Sequence, residues 1–284
     1  MGHLRLSLES GSGGDQVVPV ETPSSDPGHD RWGDPLPPPL PTVPASVRPG
    51  PAVGGGGIGW KGWALTLASM AVSVAFYAMN WTWGFAFGFT VLILVHEIGH
   101  LVAARSLGLR VGPPVFIPFF GASIRLKERP RNAWDEAVVG IAGPIFGTFA
   151  AGVCVLFLGG SSDAFWRELA FYGFFLNLFN LTPAGFLDGG RIVGAVSPWL
   201  WVPGFALMAA LCVYAGFVLK VFPLVSLYVL FTGLPRLFSL FRPRDPFEQR
   251  YHDLPAERRR TMGAAYFGLV GILAVGLYLV RPTP

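Results

Sequence analysis

The sequence predicts an all-α polytopic membrane protein of about seven transmembrane helices over residues 59–280, preceded by a disordered N-terminal tail over residues 1–58. Three observations carry this. Of 284 residues, 52% are hydrophobic and only 13% charged, against roughly a quarter charged in ordinary soluble domains. Apolar runs recur at about 62–79, 83–107, 135–159, 164–183, 199–219, 221–238 and 262–280. Each approaches the roughly 20 residues that cross a ~30 Å hydrocarbon layer as helix. Positive charge is also segregated into two of the connecting loops, as cytoplasmic loops require.

The elements follow in chain order. Residues 1–58 hold 11 of the 26 prolines and 11 of the 37 glycines, including Pro37-Pro38-Pro39 and Gly54 to Gly57. Such a stretch buries too little apolar surface to offset chain entropy, so a disordered tail is expected. It has no apolar core of the kind a signal peptide carries. From Trp60 onward the runs read as helices, because backbone polar groups in lipid must be paired within the segment. The divide between the fifth and sixth runs rests on Lys220 and Pro223.

Arg105, Arg110, Arg125, Lys127, Arg129 and Arg131 follow the second run, and seven arginines between Arg236 and Arg260 follow the sixth. Seven spans with a cytoplasmic N-terminus place both groups on the inner side. This explains the formal charge of +4 without a nucleic-acid surface, which would gather Lys and Arg on a soluble fold. The two cysteines, Cys154 and Cys212, sit in apolar runs, which excludes a disulfide framework and a cysteine-based zinc site.

The second run contains His96-Glu97-Ile98-Gly99-His100. Ionisable groups at membrane depth are costly and mark functional sites. His96 and His100 are four residues apart, so their imidazoles share one helix face. Two such nitrogens can bind one zinc ion, and the adjacent Glu97 can act as general base on water there. With five His and eight Glu in the chain, this pattern arises by chance about 0.002 times. The alternative is a buried His–Glu cluster that serves helix packing. Gly99 suits close approach of a neighbouring helix.

A third ligand is expected from the remaining acidic residues. Most lie in charged loops, whereas Asp188 follows Asn177, Asn180, Pro183 and Gly185 in a broken apolar segment. Irregular backbone at that depth is tolerated only against protein or a wet cavity. A carboxylate there can turn towards a metal on an adjacent helix.

His96-Glu97-Ile98-Gly99-His100, followed by Asn180-x-x-Pro183-x-x-x-Leu187-Asp188-Gly189, resembles the site-2 protease family of intramembrane zinc metalloproteases. Gly143-Pro144, between them, resembles a further signature of that family. The resemblance covers roughly residues 83–195 and implies a three-helix catalytic core within a transmembrane metalloprotease domain over 59–280. It implies one zinc ion held by His96, His100 and Asp188, with Glu97 as catalytic base and acid. Asn180 matches the asparagine that holds the substrate backbone or the developing oxyanion. The substrate class it implies is a transmembrane protein or a signal peptide.

Peptide hydrolysis needs an extended substrate. The prolines at 113, 114 and 118 forbid a helix after the second run, and Ala122, Ser123 and Ile124 are expected to form a strand edge that pairs with an unwound substrate. The resemblance also places a membrane-associated hairpin here; the alternative is an interfacial loop anchored by phenylalanines. Asn177 is expected to serve helix packing, Arg191 to be a cytoplasmic anchor, and His252 to be solvated. The loops after the third and sixth runs are too short for the PDZ or CBS modules that many family members carry. A bacterial cytoplasmic membrane is the expected location. A metal or proton transporter using the same His/Glu/Asp cluster is the competing reading, although the sequence lacks the paired repeats transporters favour.

Overall fold

The computed structural model describes residues 58–118, 121–160, 163–220, 222–243 and 245–281. The tail expected to be disordered, residues 1–58, lies almost wholly outside the described residues. The order of elements is α1 (Trp60–Tyr77), α2 (Trp83–Ser106), β1 (Val111–Ile117), β2 (Gly121–Leu126), α3 (Ala133–Val155), α4 (Asp163–Asn180), α5 (Asp188–Val196), α6 (Trp201–Phe217), α7 (Leu224–Ser239), α8 (Pro246–His252) and α9 (Ala256–Val280).

A helix stands at each of the seven apolar runs. Four are long and apolar enough to cross a membrane: Trp83–Ser106, Ala133–Val155, Ala256–Val280, and α6 extended by one turn as Pro198–Phe217. Helix α7 is a shorter apolar helix. Large apolar side chains lie exposed on several of these helices, among them Phe149, Phe217, Phe231 and Leu279. Contiguous apolar surface of this kind suits hydrocarbon rather than water.

Local chemistry sets the helix starts. The Thr82 hydroxyl accepts from the Phe85 N–H and begins α2. The Asn132 side chain accepts from the Asp135 N–H and begins α3, whose first turn carries Asp135 and Glu136. Both caps satisfy a donor that has no partner in the helix, and the two acids suit the positive end of the helix dipole. Helix α4 stops at Asn180, before Pro183. The chain then turns through Gly185, whose φ of +54° favours glycine, and restarts as α5 at Asp188. The expected break is therefore present, and the short helix beyond it is an addition to the sequence reading.

The main core joins Phe85 and Leu92 of α2, Ile141 of α3, Phe174 of α4, Ile192 of α5 and Leu273 of α9. Two polar bonds hold the broken segment in this core. The Tyr266 hydroxyl of α9 donates to the Leu181 carbonyl at 2.7 Å, and the Trp201 indole donates to the Gly190 carbonyl at 2.8 Å. The Leu181 oxygen, just past the end of α4, thus regains a partner, and the second bond ties α5 to the start of α6.

The hairpin pairs β1 with β2 antiparallel, with Pro114 opposite Ile124, Val115 opposite Ser123 and Phe116 opposite Ala122. The outer side of β1 is bonded to α1. The Thr66 hydroxyl donates to the Pro114 carbonyl at 2.8 Å, and the Ser69 hydroxyl accepts the Phe116 N–H at 3.1 Å. Opposed residues in an antiparallel pair alternate between bonded and non-bonded. Pro114–Ile124 and Phe116–Ala122 are therefore the non-bonded pairs. By the same alternation the backbone N–H and C=O of Ala122 and Ile124 point away from β1, to the open edge of β2.

Candidate metal centre

Helix α2 carries His96 and His100 one turn apart, and α5 begins with Asp188. The Nε2 atoms of the two histidines lie 3.1 Å apart. Asp188 Oδ2 lies 3.2 Å from each of them. All three side chains are buried, and they form the His/Asp group suited to a metal ion among the described residues.

The tautomers follow from the outer partners. His96 Nδ1 lies 2.8 Å from Asn177 Oδ1, and the Asn177 Nδ2 donates to the Gly173 carbonyl at 2.7 Å. With the amide so oriented, its oxygen faces His96 and Nδ1 must be the donor. His100 Nδ1 donates to the Val139 carbonyl at 2.7 Å. Both Nε2 lone pairs then face Asp188 Oδ2, and three acceptors converge without a donor among them. Such an arrangement calls for a cation between the three atoms. Bonds of ~2.0–2.2 Å to a tetrahedral zinc ion set donor separations of roughly 3.3 Å, close to the triangle seen here. The donor set therefore fits zinc.

Small residues bring the helices this close. A Cβ on Gly99 would lie 2.4 Å from the Ala142 carbonyl oxygen, one on Gly143 2.2 Å from His100 Nε2, and one on Gly147 2.1 Å from Asn177 Oδ1. Glycines along α3 thus admit α2 and the inner partner of His96. Pro144, next to Gly143, has no N–H to give to the Gly140 carbonyl and loosens the helix at the level of the site.

A cavity of about 900 Å³ opens onto the triangle. Glu97 and Asn180 both line it, as do Ala122, Ser123 and Ile124 of β2. Glu97 is buried, and its carboxylate makes no hydrogen bond to the described residues. The expected site residues thus line one space: three as a donor triangle, with Glu97, Asn180 and the β2 residues around the same cavity. Aromatic side chains, including Trp81, Phe89 and Tyr172, line another part.

Two expectations need correction. Arg191, expected as a cytoplasmic anchor, lines the cavity, with Nη1 3.8 Å from Asp188 Oδ1. His252, expected to be solvated, is half-buried, with Nδ1 3.2 Å from the Gly194 carbonyl. Asn177 is the hydrogen bonder between helices that was expected, and its partner on α2 is the His96 ring. The sequence placed Arg191 three residues after Asp188, one helical turn, but that spacing has meaning only once Asp188 is known to begin a helix.

Comparison with known proteins agrees with this geometry. Residues 84–163 match the family model described as Peptidase family M50. That stretch includes His96, Glu97, His100 and Gly143-Pro144, whereas Asp188 and Asn180 lie beyond it. The chain is 32% identical over 150 residues to "Probable zinc metalloprotease EGY2, chloroplastic" of Oryza sativa subsp. indica, covering 37% of this chain and 27% of that protein. It is 30% identical over 112 residues to "Zinc metalloprotease MJ0392" of Methanocaldococcus jannaschii, covering 37% of this chain and 32% of that protein. The chain thus spans about a quarter to a third of the length of these relatives.

Proposed function

We propose, from the peptidase M50 match and the donor triangle together, that this chain is an intramembrane zinc endopeptidase of the site-2 protease type. The observation that carries the reading is the convergence of His96 Nε2, His100 Nε2 and Asp188 Oδ2 within 3.2 Å, beside the free carboxylate of Glu97. The catalytic core is residues 83–195, within a transmembrane domain over 59–280 that crosses a bacterial cytoplasmic membrane about seven times, N-terminus inside. The substrate is a transmembrane segment of another protein or a signal peptide.

Zinc bound by the triangle supplies a Lewis acid for the scissile carbonyl and acidifies water at the site. Glu97 accepts a proton from the attacking water as its oxygen bonds to the carbonyl carbon. As the C–N bond breaks, Glu97 returns that proton to the leaving amine. The Asn180 amide donates to the carbonyl oxygen as negative charge develops there. The open edge at Ala122 and Ile124 pairs with the unwound substrate backbone and holds it extended beside Glu97.

Glu97→Gln separates this reading from transport. In purified full-length protein, the variant is expected to retain one zinc ion per chain and lose cleavage of a membrane-segment substrate. Metal or proton flux in liposomes without cleavage by the wild type would favour a transporter instead.

A further inference from the structure

The two carboxylate oxygens of Asp188 have different surroundings. Oδ2 closes the donor triangle, while Oδ1 faces Arg191, whose Nη1 stands 3.8 Å away and one helical turn further along α5. On its other side the Arg191 guanidinium meets α3, with Nε 4.0 Å from Glu136 Oε1. Glu136 is itself held from two more elements. Arg236 of α7 donates to Oε1 at 3.0 Å, and the Tyr251 hydroxyl of α8 donates to Oε2 at 2.8 Å. Arg236 also donates to the Gly185 carbonyl in the turn that leads to Asp188.

We propose that Arg191 is a positioning residue for the metal centre: it restrains Asp188 Oδ1 so that Oδ2 stays aimed at the ion, and Glu136 fixes where the guanidinium sits. The inference rests on the metal reading above. A carboxylate turns readily about its last torsion, and a ligating carboxylate is held by an outer partner. A bare cation beside the metal would repel it. Glu136 offsets that charge, so Arg191 contributes direction with little net repulsion. The arrangement links α7 and α8, which lie beyond the matched residues 84–163, to the ligand on α5.

The test is zinc affinity of the full-length protein in detergent, by competition with a chromophoric chelator. Arg191→Gln is expected to weaken zinc binding roughly 10–100-fold, the usual effect of removing an outer partner. Cleavage at limiting zinc should fall in parallel and recover as zinc is added. Arg191→Lys keeps the charge but loses the planar fork, and should weaken binding by a smaller factor. Wild-type affinity in both variants overturns the proposal. So does a cleavage loss that zinc does not restore, because that would place the guanidinium on the substrate. Failure of the metal reading itself has a different signature: the wild type would then bind no stoichiometric zinc, and His96→Ala would change nothing.

Discussion

The side-chain oxygen of Asn177, on α4, receives the Nδ1 proton of His96, on α2, at 2.8 Å, and the same amide is locked by the Gly173 carbonyl. One residue therefore selects both the tautomer and the direction of a metal-facing imidazole. Asn177→Ala is expected to lower zinc affinity roughly 10–100-fold, with no change in the three donors. Chelator competition measures it, and unchanged affinity would show that the ring is held without the amide.

Gly143 tests the same architecture through space rather than hydrogen bonding. Gly143→Ala puts a methyl group 2.2 Å from His100 Nε2, so α2 and α3 must part or the ring must turn. Metal binding and cleavage are expected to be lost together. Gly152→Ala, on the same helix with nothing within 4 Å, is the control. It should leave cleavage intact and be neutral or up to about 1 kcal/mol stabilising, the helix-propensity gain of alanine over glycine.

The hairpin register predicts an alternation along β2. Ala122→Pro and Ile124→Pro remove N–H groups that face the open edge, and are expected to cut proteolysis at least tenfold while zinc remains bound. Ser123 stands opposite Val115 in a bonded pair, so Ser123→Pro removes a bond within the hairpin and should destabilise it. Equal effects at all three positions, by cleavage assay and limited proteolysis of the hairpin, would show that the edge plays no part in holding the substrate.

What the sequence revealed here is what recurs along one element. The four-residue spacing of His96 and His100, the proline-rich start of the hairpin, and the break at Pro183 all follow from local geometry. Asp188 stood out because most other acidic residues sit in charged loops, whereas it follows a broken apolar segment. The partners across elements were not legible. Nothing local says that Asn177 rather than Asn180 meets His96, or that Gly143 and Gly147 lie against a ring and an amide. Arg191 read as an anchor because basic residues after apolar runs usually are. Its real place depends on α5 folding back against α3, which packing decides.

Alkaline pH should loosen the junction of α3 and α8. Tyr251 donates to Glu136 Oε2, and burial, followed by the negative charge of Glu136, pushes its phenol above the ordinary value. A raised acid of this kind stabilises the fold fully below its unfolded value, near ~10, and the contribution is lost as pH rises from there through the folded value. Tyr251→Phe is expected to remove that part of the alkaline decline. Unfolding followed by tryptophan fluorescence between about pH 8 and 12 checks it, and identical slopes in both proteins would rule it out.

A two-stranded ribbon in a membrane invites a neighbouring copy to stack onto it and propagate. Here the Thr66 and Ser69 hydroxyls of α1 already occupy one flank of β1, so among the described residues only the β2 flank, which lines the cavity, is left for a further strand. Growth from both sides of the ribbon, as a fibre needs, is thereby blocked on one of them.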